Sequence, residues 1–244
     1  MTSSTAARPA PPERVNIYQP PDKHDFAYLD LNYQEFLPED RQARILDLGC
    51  GYGRILAWLK RRGYTNVVGL DREPEIIDWV RQHITPSVEV CQDPGEYLDR
   101  HQGSFALIIA KDMIYYFPKN ETVVQLRLIH EALRPDGCLL AEVFNGAALT
   151  GPYLAWKDVL MEWIPTEISV RLFLEKAGYG SVRMVEPRPV PGGWKRALFH
   201  LAGRLWRRIL RLIYLLERGR DEHNPQILTT RFLAVARAGD SKPK

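Results

Sequence analysis

"ILDLGCGYGR", residues 45 to 54, decides how the rest of the chain is read. It opens inside a short buried strand, "ARILDLG", and closes where a helical pattern, "GRILAWLKRRG", begins. Gly49, Gly51 and Gly53 fall at alternate positions of the junction, with Asp47 two residues upstream. Glycines there let the chain turn sharply and let a ligand reach backbone atoms with no Cβ in the way. The helix that follows aims its first N–H groups at the same point. A phosphate loop would want a lysine or a pyrophosphate site, and a dinucleotide fingerprint reads G-x-G-x-x-G. Here the spacing is G-x-G-x-G and an acid leads it; Asp47 can hold an ammonium group. Cys50, inside the loop, reads as a packed small residue rather than a nucleophile.

A rhythm of strands and helices runs outward from this loop. "NVVGLD" is a strand, "EPEIIDWVRQHI" a helix, "VEVCQD" a strand and "PGEYLDRH" a short helix. "SFALIIAKD" is a strand, "NETVVQLRLIHEALRPDG" a helix with Asn120 at its N-cap, and "CLLAEVFN" a fifth strand. Such alternation implies βαβ units and a mostly parallel sheet covered on both faces. After Asn145 the rhythm weakens: "TEISVRLFLEKAGY" is a helix, "SVRMVEP" a strand and "ILTTRFLAVARA" a last strand. Upstream, "HDFAYLDLNYQEFLP" has helical spacing and stops at Pro38. Residues 1–22 and 238–244 read as disordered tails, and 23–237 as one domain. The fold implied is a doubly wound, Rossmann-like α/β sheet.

Two further acids stand where such a fold places ligand contacts. Asp71 ends the second strand, where ribose hydroxyls are gripped. Arg72 follows it and is grouped with the same side. Asp93 ends the third strand and can accept from an exocyclic amine such as that of adenine.

Together these segments resemble the class I S-adenosylmethionine-dependent methyltransferases. "DLGCGYG" fits the family's D/E-x-G-x-G-x-G loop, "VGLDREPEII" the ribose-binding strand end and "CQDPGEYL" the adenine-side segment. "FALIIAKDMIYYF" and "LRLIHEALRPDGCLLAEV" resemble the strand-four segment and the helix leading into strand five. The resemblance implies seven strands with an antiparallel last one, and S-adenosylmethionine as cofactor. It implies that Asp47 and Gly49–Gly53, Cys50 included, face the methionine part, that Asp71 binds both ribose hydroxyls and that Asp93 holds the adenine amine. Lys111 and Asp112 would lie beside the sulfonium and the acceptor. Pro94 departs from the pattern: it has no N–H to offer adenine N1, so Gly95 takes over or the contact is missing.

A narrower likeness, from about Phe26 to Ala236, is to bacterial methyltransferases of the type 11/12 kind, often found with surface-polysaccharide genes. It rests on "FAYLDLNYQEFLP", Asn145, the D-x-x-x-E segment Asp158–Glu162 and a basic amphipathic stretch before the last strand. That likeness implies O-methylation of a surface glycan or its lipid-linked precursor. A small natural product or quinone-like lipid is the alternative acceptor, and a non-catalytic scaffold the alternative class. Relatives carry His where Tyr116 and Met161 stand, so no catalytic His carries over. Asp112, Tyr116 and Glu162 remain the candidates for catalysis, and Tyr115, Asn145 and Asp158 for the acceptor.

The basic stretch is "GGWKRALFHLAGRLWRRILRLIYLLERG", residues 192 to 219, inserted as a helix at 192–220. It carries +6 between Trp194 and Leu216 in a chain whose net charge is +3, so the remainder is net negative. Local basicity argues against a general nucleic-acid binder. Arg196, His200, Arg204, Arg207, Arg208 and Arg211 gather on one side of a helical wheel. Leu198, Leu201, Leu205, Trp206, Ile209 and Leu212 gather on the other, with Ile213. Several arginines at a bilayer centre exclude a span. Peripheral contact with an anionic membrane and packing on the domain or on a second copy both stay open, as does monomer against homodimer. Cys50, Cys91 and Cys138 form no CxxC pair, which fits a reducing, cytoplasmic setting. The six His residues lack metal-ligand spacing, so no metal is expected.

Overall fold

The structure is a computed structural model that describes residues 21–239. Its centre is one seven-stranded sheet: β1 (Ile45–Leu48), β2 (Val67–Asp71), β3 (Val88–Val90), β4 (Phe105–Lys111), β5 (Leu133–Phe144), β6 (Ser181–Val185) and β7 (Arg231–Arg237). The spatial order is β3-β2-β1-β4-β5-β7-β6. Pairing is parallel from β3 through β5, and β7 runs antiparallel to both β5 and β6. The order reverses between β1 and β4, so a crevice opens beyond their carboxyl ends, where doubly wound sheets bind ligands.

Among the described residues there are eight α-helices: α1 (Lys23–Asn32), α2 (Arg54–Arg61), α3 (Pro74–His83), α4 (Pro94–Asp99), α5 (Thr122–Ala132), α6 (Gly151–Lys157), α7 (Glu167–Ala177) and α8 (Trp194–Arg218). β1 is buried along its whole length, which is why it reads as an unbroken apolar run. Ile108 and Ala110 of β4 pack with Leu126 of α5 and Leu174 of α7. Leu107 and Ile109 pack on the other face with Tyr33 and with Trp58 of α2.

Several boundaries differ from the sequence reading. Asp22, placed in the tail, caps α1: its carboxylate accepts from the His24 and Asp25 N–H groups at 2.7 and 2.8 Å. The rest of the expected N-terminal tail, and residues 240–244, lie outside the described residues. Asn120 is not the cap of α5. The turn from Pro118 continues through it, Thr122 Oγ1 donates to the Pro118 carbonyl at 3.1 Å, and Glu121 takes the N-cap position. β5 begins five residues before Cys138, at Leu133, past a register shift against β4.

The 25-residue helix α8 packs on the domain through a narrow strip. His200, Gly203, Arg207, Leu210 and Tyr214 make that strip, and of these Leu210 is the one fully buried residue. Arg207 pairs with Glu186 at 3.4 Å, and the Tyr214 hydroxyl donates to the Ala147 carbonyl at 3.2 Å. Because these anchors sit opposite the leucine stripe, that stripe points away from the domain. Leu198, Leu205 and Leu212 are 58%, 59% and 53% exposed. Packing of the Leu/Ile/Trp face on the chain's own core is therefore overturned. No helix among the described residues is long and apolar enough to cross a membrane.

Candidate active site

The turn after β1 is built as its glycines require. Gly49, Gly51 and Gly53 all have φ between 49° and 76°, the left-handed region that side chains resist. Gly49 and Cys50 both donate N–H to the Leu70 carbonyl at 2.8 Å, which clamps the loop to β2. A Cβ on Gly51 would meet nothing within 4 Å, so this residue edges open space. Gly53 caps α2 without a side chain, leaving the helix end to what lies before it. Cys50 is buried, and desolvation with Asp47 and Asp71 nearby raises its thiol, so it packs rather than reacts.

Beneath this loop lies the site's most telling atom. Asp47 is 1% exposed, and its Oδ2 has no hydrogen-bond partner. Burial, with Asp71 adding to it and Lys111 partly offsetting, pushes its carboxyl up to about 8. Buried polar groups are nearly always partnered, so one that is not points to a partner from outside the chain. An ammonium group is the complement. Asp71 stands at the rim, accepting from Gly51 N–H at 2.9 Å and Glu73 N–H at 3.1 Å. Arg72 turns outward and pairs with Glu73 at 3.3 Å. Asp93 caps α4, its Oδ1 accepting from Gly95 N–H at 2.8 Å, with Pro94 in the first helical turn. The Gly95 N–H is thus engaged and does not replace the donor that Pro94 lacks. These residues fit a ligand that carries an ammonium at one end and a nucleoside at the other.

Past the loop, the ends of β4, β5 and β7 meet in a partly buried charged network. Glu142 of β5 is its hub. Oε1 accepts from Lys111 Nζ at 2.6 Å and Arg231 at 3.3 Å, and Oε2 from the Tyr33 and Tyr28 hydroxyls at 2.5 and 3.0 Å. Asp112 joins through Lys111 at 3.3 Å, the Tyr115 hydroxyl at 3.0 Å and Arg231. Burial works against its charge, but Lys111 and Arg231 outweigh it and hold the carboxyl below the ordinary range. Asp112 also has φ of 56°, the one non-glycine in the left-handed region among the described residues. Such strain persists where surrounding contacts over-determine it. Beside the network, Tyr116 donates to Asp158 Oδ2 at 2.5 Å.

The sequence candidates thus divide. Lys111, Asp112, Tyr115, Tyr116 and Asp158 come together. Asn145 does not serve as an acceptor contact: its amide donates to the Ile227 and Thr229 carbonyls and its oxygen accepts from Ala147 N–H, so every group clamps the approach to β7. Glu162 is exposed, and its backbone N–H holds the Tyr115 carbonyl, so its carboxylate stands apart from the network. Sequence reasoning missed Glu142, Arg231, Tyr28 and Tyr33. A signal existed in "CLLAEVF", where one acid interrupts a strand buried on both faces. The partners of that acid lie 31 to 114 residues away in sequence, and no local pattern names them.

The family profile described as "Methyltransferase domain" matches residues 45–137. Over those residues the chain is similar to a methyltransferase domain. It is 33% identical over 114 residues to YqeM, a candidate methyltransferase of Bacillus subtilis, covering 45% of this chain and 44% of that one. It is 26% identical over 127 residues to a ubiquinone biosynthesis O-methyltransferase of Neisseria meningitidis, covering 50% and 52%. The matched region spans about half the length of these relatives. An S-adenosylmethionine-dependent methyltransferase of Archaeoglobus fulgidus has the same fold, with a TM-score of 0.62 over 87% of this chain and 92% of that one, at 16% identity. The likeness shows a shared Rossmann-like fold, and in this chain the long helix α8 precedes the last strand.

Proposed function

We propose that this chain transfers the methyl group of S-adenosylmethionine to a hydroxyl oxygen of a lipid-borne acceptor, either a lipid-linked glycan or a quinone-like lipid. One observation carries the cofactor half of this reading: the buried Asp47 Oδ2 has no hydrogen-bond partner, and Gly51 of the loop after it borders open space. The ammonium of S-adenosylmethionine supplies the missing partner. In this reading Asp71 accepts from the ribose hydroxyls and also holds Gly51 N–H. The second oxygen of Asp93 remains for the adenine amine.

S-adenosylmethionine brings a methyl group already activated on a sulfonium, so the protein's work is to align, to exclude water and to take a proton. The oxygens of Asp112 and Glu142 are occupied by Lys111, Arg231 and tyrosine hydroxyls, which makes that network a rigid floor rather than a base. Tyr116 and Asp158 form the alternative pair, already joined by a hydrogen bond from the phenol at 2.5 Å. An acceptor hydroxyl next to Tyr116 passes its proton to the phenol oxygen as the phenol proton moves to Asp158, which leaves an alkoxide for displacement. Support for an oxygen acceptor on a lipid comes from the kinship with relatives named for ubiquinone biosynthesis and from the outward apolar surface beside the site.

The test is methyl transfer to a hydroxylated quinone-like lipid and, separately, to a polyprenyl-linked glycan. Tyr116→Phe and Asp158→Asn should each lower kcat roughly 10²-fold with KM for S-adenosylmethionine unchanged. Tight cofactor binding with no turnover on either acceptor class would favour the scaffold reading instead.

A further inference from the structure

The outward face of α8 is an apolar surface without a cover. Leu198, Leu205, Trp206, Ile209, Leu212 and Leu216 are all exposed, from 43% to 75%, along a helix roughly 37 Å long. A contiguous apolar stripe of this size marks an interaction surface. Charge flanks it on one side only in sign. Arg204 and Arg208 edge the stripe, both exposed and without an ion-pair partner among the described residues, and no acid occurs from Trp194 to Leu216.

That charge decides between occupants. A second copy packed stripe to stripe would bring more arginines and no acid to meet Arg204 and Arg208. An anionic lipid surface meets both features at once, taking the leucines into the acyl boundary and the arginines among the headgroups. Trp206 suits the same boundary, with an apolar ring and one polar edge.

The placement of the helix matters equally. Its carboxyl half is tied to Ala147, two residues beyond Asn145 at the end of β5, on the side of the sheet where Asp112 and Tyr116 lie. Leu149, Tyr153 and Trp156 follow within ten residues of that tie and are exposed at 62%, 69% and 83%. We infer that α8, with these residues of the α6 segment, docks the protein on an anionic membrane surface so that the acceptor side of the sheet faces the lipid. This deepens the proposed lipid-borne acceptor but does not depend on turnover.

The experiment is co-sedimentation of the full chain with vesicles of phosphatidylcholine alone and with 30% phosphatidylglycerol, alongside calorimetry with S-adenosylhomocysteine. Binding is expected to anionic vesicles at least tenfold above neutral ones, and to fall as salt is raised. Arg204→Gln with Arg208→Gln should weaken it roughly tenfold or more, and Leu205→Asp with Ile209→Asp should abolish it. Both variants should keep the wild-type affinity for S-adenosylhomocysteine, since neither site touches the glycine loop. Wild-type protein that binds ligand yet ignores anionic vesicles overturns the docking surface while leaving the cofactor reading intact. A stable dimer that Leu205→Asp splits, with no vesicle binding, overturns it in favour of a second copy.

Discussion

Asp47 and Glu142 are buried carboxylates on β1 and β5, with β4 between them, and they are opposite in company. Glu142 has four donors around it, two of them cationic. Asp47 has an oxygen with none. The first is a finished structure that ties α1, β4, β5 and β7 together. The second leaves that oxygen open, the position the proposed cofactor ammonium would fill. Burial alone therefore says little about a carboxylate's role; the number of donors it already holds separates scaffold from site.

The comparison breaks most visibly at the hub. Glu142→Ala leaves Asp112 alone to balance both Lys111 and Arg231, and takes the acceptor from two tyrosine hydroxyls. Removing one partner of a buried pair costs about 3–5 kcal/mol. At about 2–4 °C per kcal/mol, the melting temperature should fall by ten degrees or so. A shift under two degrees would mean that the network contributes nothing to holding the elements together.

Next in size is the rim. Asp71→Ala should weaken S-adenosylhomocysteine by about 1.5–3 kcal/mol in calorimetry, the range for hydrogen bonds to a charged group. Because Asp71 also holds Gly51 N–H, the unliganded protein should lose a smaller amount of stability, about 1 kcal/mol. Unchanged affinity would remove Asp71 from the ligand site.

The opposite sign is expected at Asp47. Its folded carboxyl stands near 8, against 3.8 for an unperturbed one. Its contribution is therefore fully present below pH 4 and is lost progressively as pH rises toward 8, because unfolding lets the group ionise. Asp47→Asn cannot ionise, so the unliganded variant should melt several degrees above wild type at pH 8 and level with it at pH 4. A variant that melts lower at both values would show that Asp47 already has a partner.

The smallest effect sharpens the contrast. Tyr33→Phe removes one of two hydroxyls from Glu142 Oε2 and should cost about 0.5–1.5 kcal/mol in chemical denaturation, with S-adenosylhomocysteine affinity unchanged. Loss of affinity would join the two carboxylate regions into one site.

How much of this was written in the sequence follows from the range of the forces involved. Asp47, the three glycines and Asp71 are local devices, set by a turn, a helix start and a strand end, and they stand where the pattern put them. The parallel core was legible because β1 and β4 are covered on both faces and read as unbroken apolar runs. The Glu142 network was not legible because its members are gathered from four distant segments by the sheet order. For Asn145 the residue was visible but its occupation by the 227–229 carbonyls was not. The direction of α8 was hidden for a related reason. A helical wheel shows two faces, and only the anchors at Glu186 and Ala147 tell which one meets the domain.

The central claim is that Asp47 awaits the ammonium of the cofactor, and proton linkage tests it most directly. At pH 6.5 the unliganded carboxyl holds its proton; an ammonium arriving beside it should displace that proton. Calorimetry of S-adenosylhomocysteine binding in buffers of unlike ionisation heat should then show close to one proton released per ligand bound. Affinity should rise up to tenfold per unit between pH 6 and 8. Asp47→Asn should bind more weakly, release no proton and show no such slope. A wild-type protein that binds S-adenosylhomocysteine equally well at pH 6 and 8 without releasing a proton would contradict the account.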